Sequence, residues 1–209
     1  METERSGGPG RTTRHLVAIG ALLLATGTAP GIGAAFDTGE AFAKGTSVVS
    51  LQMGGGAQAD IETLFSDITF LEFTPRVSYL PFEPLGSGWY RAALEPGLEG
   101  WFEYYFNPKH AGAGGLKAAL RLHAIGFGRV VPYLELTAGA GGTGLRVPES
   151  QSTFTFILEG GVGFSVFVAD DLAINVGYRI QHMSNGGTSK PNFGFEANVG
   201  VIGVSYFFH

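Results

Sequence analysis

Three polar residues near the end of the chain have the types and spacing of a hydrolytic site. His182 and Ser184 are separated by one residue. Glu196 follows after a segment rich in turn formers, Asn185 to Asn192. In a strand, residues i and i+2 point to the same side. His182 and Ser184 then lie side by side, a base next to a hydroxyl nucleophile. A hairpin centred near Ser189 places Glu196 directly across from His182. Nucleophile, base and an acid that orients the base form the constellation used in acyl transfer. The bland alternative is that each polar group is an interfacial residue and Asn185-Gly-Gly187 an ordinary hairpin turn.

The elements that would carry these residues are strands. Charged residues make up only 15% of the 209-residue chain, against about 25% in ordinary soluble domains. After the N-terminal region no apolar run is long enough for a transmembrane helix. Alternating segments are predicted at roughly 45–54, 66–80, 89–106, 116–127, 131–143, 152–168, 171–184 and 194–208. In the sixth, Phe154, Phe156, Leu158, Val162, Phe164 and Val166 share one parity, opposed by Thr155, Glu159 and Ser165. In the fourth, Leu116, Leu120 and Leu122 oppose Lys117, Arg121 and His123. These strands are longer than those of soluble sheets, and their polar face mixes charges with glycine. A strand protein crosses a bilayer only as a closed barrel, because every backbone polar group must be paired.

The expected fold is therefore all-β, an eight-stranded antiparallel transmembrane β-barrel (44–209) after a cleaved signal peptide and short N-terminal segment (1–43). Arg11 and Arg14 precede a short apolar stretch from Leu16 to about Ala25, followed by small residues. That is the pattern of a secretory signal, with cleavage near Gly33–Ala35 or after Ala43. Aromatic residues near strand ends, among them Trp89, Tyr90, Tyr104 and Tyr206, suit interfacial girdles. The end of the chain, Gly203 to Phe208 with a final His209, resembles the C-terminal signal of outer-membrane barrels. Eight strands enclose no wide channel, which argues against a porin. The lumen-parity charges, including Glu72, Arg76, Glu99, Glu103, Lys117, Arg121, His123, Glu135, Glu159 and Arg179, are expected to pair inside the barrel.

Parity and direction place the candidate site. On the seventh strand His182 and Ser184 share parity with Ile174, Val176, Tyr178 and Ile180, so they face lipid. With the N-terminus in the periplasm, that strand runs outward and ends at the outer leaflet. Ionisable groups on a lipid-facing surface are costly and usually functional. A site opening sideways there implies a lipid substrate.

The run His182-x-Ser184-Asn185-x-Gly187-x-x-x-Pro191-Asn192-x-Gly194-x-Glu196 resembles the active-site motif of the PagL lipid A 3-O-deacylase family. Upstream the resemblance is one of architecture alone. It implies an outer-membrane serine esterase that removes the 3-linked hydroxyacyl chain of lipid A. His182, Ser184 and Glu196 would be the triad. Asn185, the Gly187 backbone N–H and Asn192 would be candidates for holding the oxyanion.

The partners implied are lipopolysaccharide and the outer membrane. No cofactor or metal is required. A net charge of −5 offers no basic patch for nucleic acid. The lack of cysteine excludes disulfides and thiol chemistry. Oligomeric state is open, a homodimer being one arrangement. The Gly-rich runs Lys109–Gly115 and Gly139–Gly144 lack the following helix of a phosphate or dinucleotide loop. Two rival functions stand beside the deacylase: a non-catalytic structural or adhesion barrel, and a barrel of phospholipase type.

Overall fold

The computed structural model describes residues 36–59 and 66–209. Among them eight strands close into a barrel. They are β1 (Ser47–Gln58), β2 (Thr69–Tyr79), β3 (Ala92–Asn107), β4 (Ala111–Ala124), β5 (Val130–Thr143), β6 (Phe154–Phe167), β7 (Leu172–Ser184) and β8 (Phe195–Phe208). Each pairs antiparallel with the next, and β1 closes on β8. The shortest has 11 residues and the longest 16. A tilted strand needs about 9–11 residues to cross a bilayer.

The alternation read from the sequence is the alternation of the wall. Leu71, Phe73 and Val77 on β2 face outward, while Glu72, Thr74 and Arg76 are buried inside. One strand begins earlier than expected: β4 includes Ala111–Gly115. Glycine carries no hydrophobic pattern, so periodicity could not register this part. Packing explains it. A Cβ on Gly115 would lie 2.2 Å from the carbonyl oxygen of Ala140 on β5. Across the other edge, Gly115 pairs with Trp101, whose large side chain is fully buried in the lumen.

The lumen is stacked in three layers. Its middle is a charged network. Glu135 sits at the centre, receiving Arg121 Nη2 at 2.6 Å, Arg76 Nη2 at 2.6 Å and Arg179 Nε at 2.7 Å. Lys117 bridges Glu99 at 2.7 Å and Glu159 at 2.6 Å. Arg179 also donates to Gln52 on β1, and His123 contacts Glu95 at 2.6 Å. Glu95 was not among the charges expected from parity.

Apolar layers close the network above and below. At the end bearing His209, Val48, Leu80, Ile125, Val131, Phe167 and Phe207 pack together. Phe42 enters this layer, with its ring 4.6 Å from His123 and 5.3 Å from Phe207. It is delivered by a single-turn helix, α1 (Thr38–Ala41), whose first turn is capped by the Asp37 carboxylate accepting from Gly39 N at 2.7 Å. Thr38 Oγ1 fastens the turn to the Ile125 carbonyl. Part of the short N-terminal segment, Phe36 to Phe42, thus packs on this end of the barrel. In Ala41-Phe42-Ala43, the second of the two possible processing sites, Ala41 and Phe42 are buried in this layer. The predicted signal segment itself, residues 1–35, lies outside the described residues.

At the opposite end Ile68, Phe70, Trp101, Tyr105, Leu145, Val147, Met183 and Phe195 form the second apolar layer. Val199 and Val201 line the same lumen, which explains why β8 shows apolar residues on both parities.

Removing one partner of a buried charge pair leaves a charge without compensation, at a cost of about 3–5 kcal/mol. Glu135→Ala removes a partner from three cations at once and leaves Arg121 without its carboxylate, while Arg76 and Arg179 keep Glu99. We expect it to lower barrel stability by at least that amount in urea titration followed by heat-modifiable migration. Glu135→Gln, which keeps volume and an acceptor, should lose less.

Candidate active site

The site is built on the end of the barrel opposite His209, where β7 leaves the wall and β8 enters it. Met183 and Phe195 are cross-strand partners, and both are buried in the lumen. Their neighbours must then point outward. His182 stands directly across from Glu196, the register that a hairpin centred near Ser189 requires. Its Nδ1 lies 2.9 Å from Glu196 Oε1. The pair is open to the surroundings, with 42% of the His182 side chain and 30% of the Glu196 side chain exposed. With Nδ1 engaged by the carboxylate, Nε2 is the ring nitrogen left for a second partner.

Ser184 is the last residue of β7 and shares the outward face with His182. Its carbonyl accepts from Thr155 Oγ1 at 3.2 Å, which ties the end of β7 to β6. Gly194 lies between the two side chains. A Cβ there would come within 3.0 Å of His182 Cε1 and 3.2 Å of Ser184 Cβ. Its φ of +72° is also a conformation that side chains resist. The glycine therefore serves twice, turning the chain into β8 and keeping the space beside the imidazole and the serine free of a side chain. It stands in the sequence motif, but spacing alone assigned it no role.

The loop from 185 to 194 is organised by Asn185, which is fully buried. Its side-chain amide donates to the carbonyls of Ser189 and Pro191, and its Oδ1 accepts from Gly187 N at 2.9 Å. Its own N–H donates to Asn192 Oδ1 at 2.8 Å. Asn185 was expected among the oxyanion donors. Its donors are instead engaged within the loop, because a tight turn with buried backbone must satisfy its own carbonyls. The Gly187 N–H is likewise occupied, by Asn185 Oδ1. Asn192 differs: its oxygen holds Asn185, and its NH₂ is not drawn into that bond. Around the site the wall is apolar, with Phe156, the cross-strand partner of Ser184, exposed toward lipid. Among the described residues no group of three or more His, Asp or Glu side chains is placed to hold a metal ion.

Residues 79–205 match the family model described as "Lipid A 3-O-deacylase (PagL)". The chain belongs to this family. Two solved structures share its fold. The outer membrane enzyme PagL is 18% identical, covers 75% of this chain and 97% of its own, and superposes with a TM-score of 0.54. Neisserial surface protein A is 15% identical, covers 79% of this chain and 100% of its own, and has a TM-score of 0.52. Comparison with curated proteins finds no match. Like other members of the PagL family, the chain is an integral outer-membrane barrel.

Gly194→Ala should leave the barrel assembled, because the position is in a loop outside the strand ladder. It should nevertheless displace His182 or Ser184. We expect at least a tenfold loss in the rate of Ser184 labelling by a fluorophosphonate probe, with heat-modifiable migration unchanged.

Proposed function

We propose that this barrel is a lipid A 3-O-deacylase that works by a Ser-His-Glu mechanism. One observation carries the reading: a His–carboxylate pair at 2.9 Å, beside a serine, on the lipid-facing wall. A carboxylate and an imidazole facing hydrocarbon or headgroups are expensive to maintain without function. The family match supplies the substrate class. Fold alone does not, since a surface protein superposes nearly as well as the enzyme.

In this reading lipid A lies in the outer leaflet with its 3-linked ester beside Ser184. Ser184 Oγ attacks the ester carbonyl carbon, and His182 Nε2 takes the hydroxyl proton. Glu196 holds Nδ1–H, fixes the tautomer and stabilises the imidazolium. The Asn192 side-chain amide, whose oxygen holds Asn185 and whose NH₂ is left out of that bond, serves as the oxyanion donor. Such a donor is worth about 10²–10³ in rate. When the tetrahedral intermediate collapses, the bond to the glucosamine 3-oxygen breaks and His182 returns its proton to that oxygen. Water, deprotonated by His182, then attacks the acyl-serine ester. The products are a free 3-hydroxy fatty acid and the Ser184 hydroxyl. Every step is acid–base and nucleophilic, so neither a metal nor a cofactor enters.

The test is mass spectrometry of lipid A after incubation with the refolded barrel. Wild type should remove one 3-hydroxyacyl mass, and Ser184→Ala should reduce the rate by roughly 10⁴-fold or more. Glu196→Ala should lose less, because His182 and Ser184 remain. Unchanged lipid A with a folded wild-type barrel would overturn the proposal. It would favour a non-catalytic barrel or, if phospholipid were cleaved instead, a phospholipase.

A further inference from the structure

Glu149 lies in the loop between β5 and β6, away from the strands that bear the triad. Its carboxylate is buried, with 1% of the residue exposed. Among the described residues no cation pairs with it. Its oxygens are met by neutral donors: Oε1 by Ser66 N at 2.8 Å and Gln58 Nε2 at 3.2 Å, and Oε2 by Ser66 Oγ at 2.9 Å. All three donors belong to the two ends of the β1–β2 connection. The backbone carbonyl of the same residue reaches the opposite way. It accepts from Phe193 N at 3.0 Å and from Gly194 N at 3.3 Å. The next residue, Ser150, forms an isolated bridge with Asn192.

These contacts grip the site from both flanks. On one side is Gly194, which spaces His182 from Ser184. On the other is the end of β1, where Gln58 pairs with Ala197 and Ala59 N donates to the Glu196 carbonyl at 2.8 Å. One loop residue therefore connects the segment that sets the base and nucleophile with the segment that sets the acid. A buried carboxylate satisfied by three donors is a stiff joint. Removing it strands those donors, at the cost of unsatisfied buried groups.

We propose that Glu149 is a positioning residue for the triad, tying Gln58 and Ser66 to the β7–β8 loop so that His182, Ser184, Asn192 and Glu196 keep their geometry. The inference rests on the deacylase reading for its consequence in rate, though its structural half stands apart from it. Glu149 touches no reacting atom. Its loss should act on turnover while leaving the apolar wall that receives the substrate intact.

The experiment compares wild type, Glu149→Ala, Glu149→Gln, Ser66→Ala and Ser184→Ala as refolded full barrels. Deacylation is measured against lipid A concentration in mixed micelles, and amide exchange at Phe193 and Gly194 is followed by NMR. Misplacing a reacting group by about 1 Å costs on the order of 10²-fold. Glu149→Ala should therefore lower kcat roughly 10- to 100-fold with KM within about threefold. Glu149→Gln, which keeps the shape and one acceptor, should recover most of the rate. Gly194 exchange should accelerate in Glu149→Ala and stay slow in Glu149→Gln. If Glu149→Ala fails to fold, Ser66→Ala, which deletes one donor, carries the same comparison with a smaller drop. A folded Glu149→Ala barrel with kcat within twofold of wild type, or an unchanged Gly194 exchange rate, overturns the inference. A wild type as inactive as Ser184→Ala overturns the deacylase reading instead, and the exchange rates then decide the joint alone.

Discussion

Met183 and Phe195 have their side chains inside the barrel, and that fixes the direction of everything chemical around them. In a closed sheet with paired backbone, a side chain has two choices, lumen or lipid. Burying the intervening residues in the apolar layer puts His182, Ser184 and Glu196 on the outer wall. A slip of one residue in the β7–β8 register would turn over the side-chain set of one strand and part Glu196 from His182. Integrity of the site is therefore a question of register before it is one of local geometry.

The charged middle layer bears on that register. Arg179 of β7 reaches Glu135 on β5 and Gln52 on β1, so strands that are not neighbours are tied across the lumen. Buried ion pairs add little net stability, because desolvation offsets attraction. They do penalise wrong pairings heavily, since a misregistered strand would bury a charge without its partner. Apolar layers on both sides let strand ends pack without such demands. The outer layer then becomes the floor on which the site's loops stand.

Most of this was legible in the sequence, and the reasons differ residue by residue. Strand parity was plain wherever large apolar residues alternated with polar ones. It failed at Ala111–Gly115, where glycines carry no pattern and the close approach of the β5 backbone to Gly115 leaves no room for a side chain. The facing of His182 and Glu196 could be read because a symmetric hairpin relates two positions by one number, its centre. Loop chemistry could not. Asn185 and Gly187 look like donors in a motif, yet a turn with buried carbonyls engages them internally. Glu149 had no local mark at all, since its partners lie on other connections and are joined only when the barrel closes. Phe42 was hidden differently: small apolar residues near an N-terminus read as a processing site and as packing equally well.

The filled lumen has a consequence for encounter. Among the described residues, side chains fill the lumen, and the site opens on the flank of the barrel. In the deacylase reading, lipid A reaches Ser184 by lateral diffusion within its leaflet. The concentration that matters is then a mole fraction among neighbouring lipids, not an amount dissolved in water. Occupancy of such a wall changes with the crowding and fluidity of the surrounding leaflet, so the membrane's own composition is a variable in the kinetics of this protein.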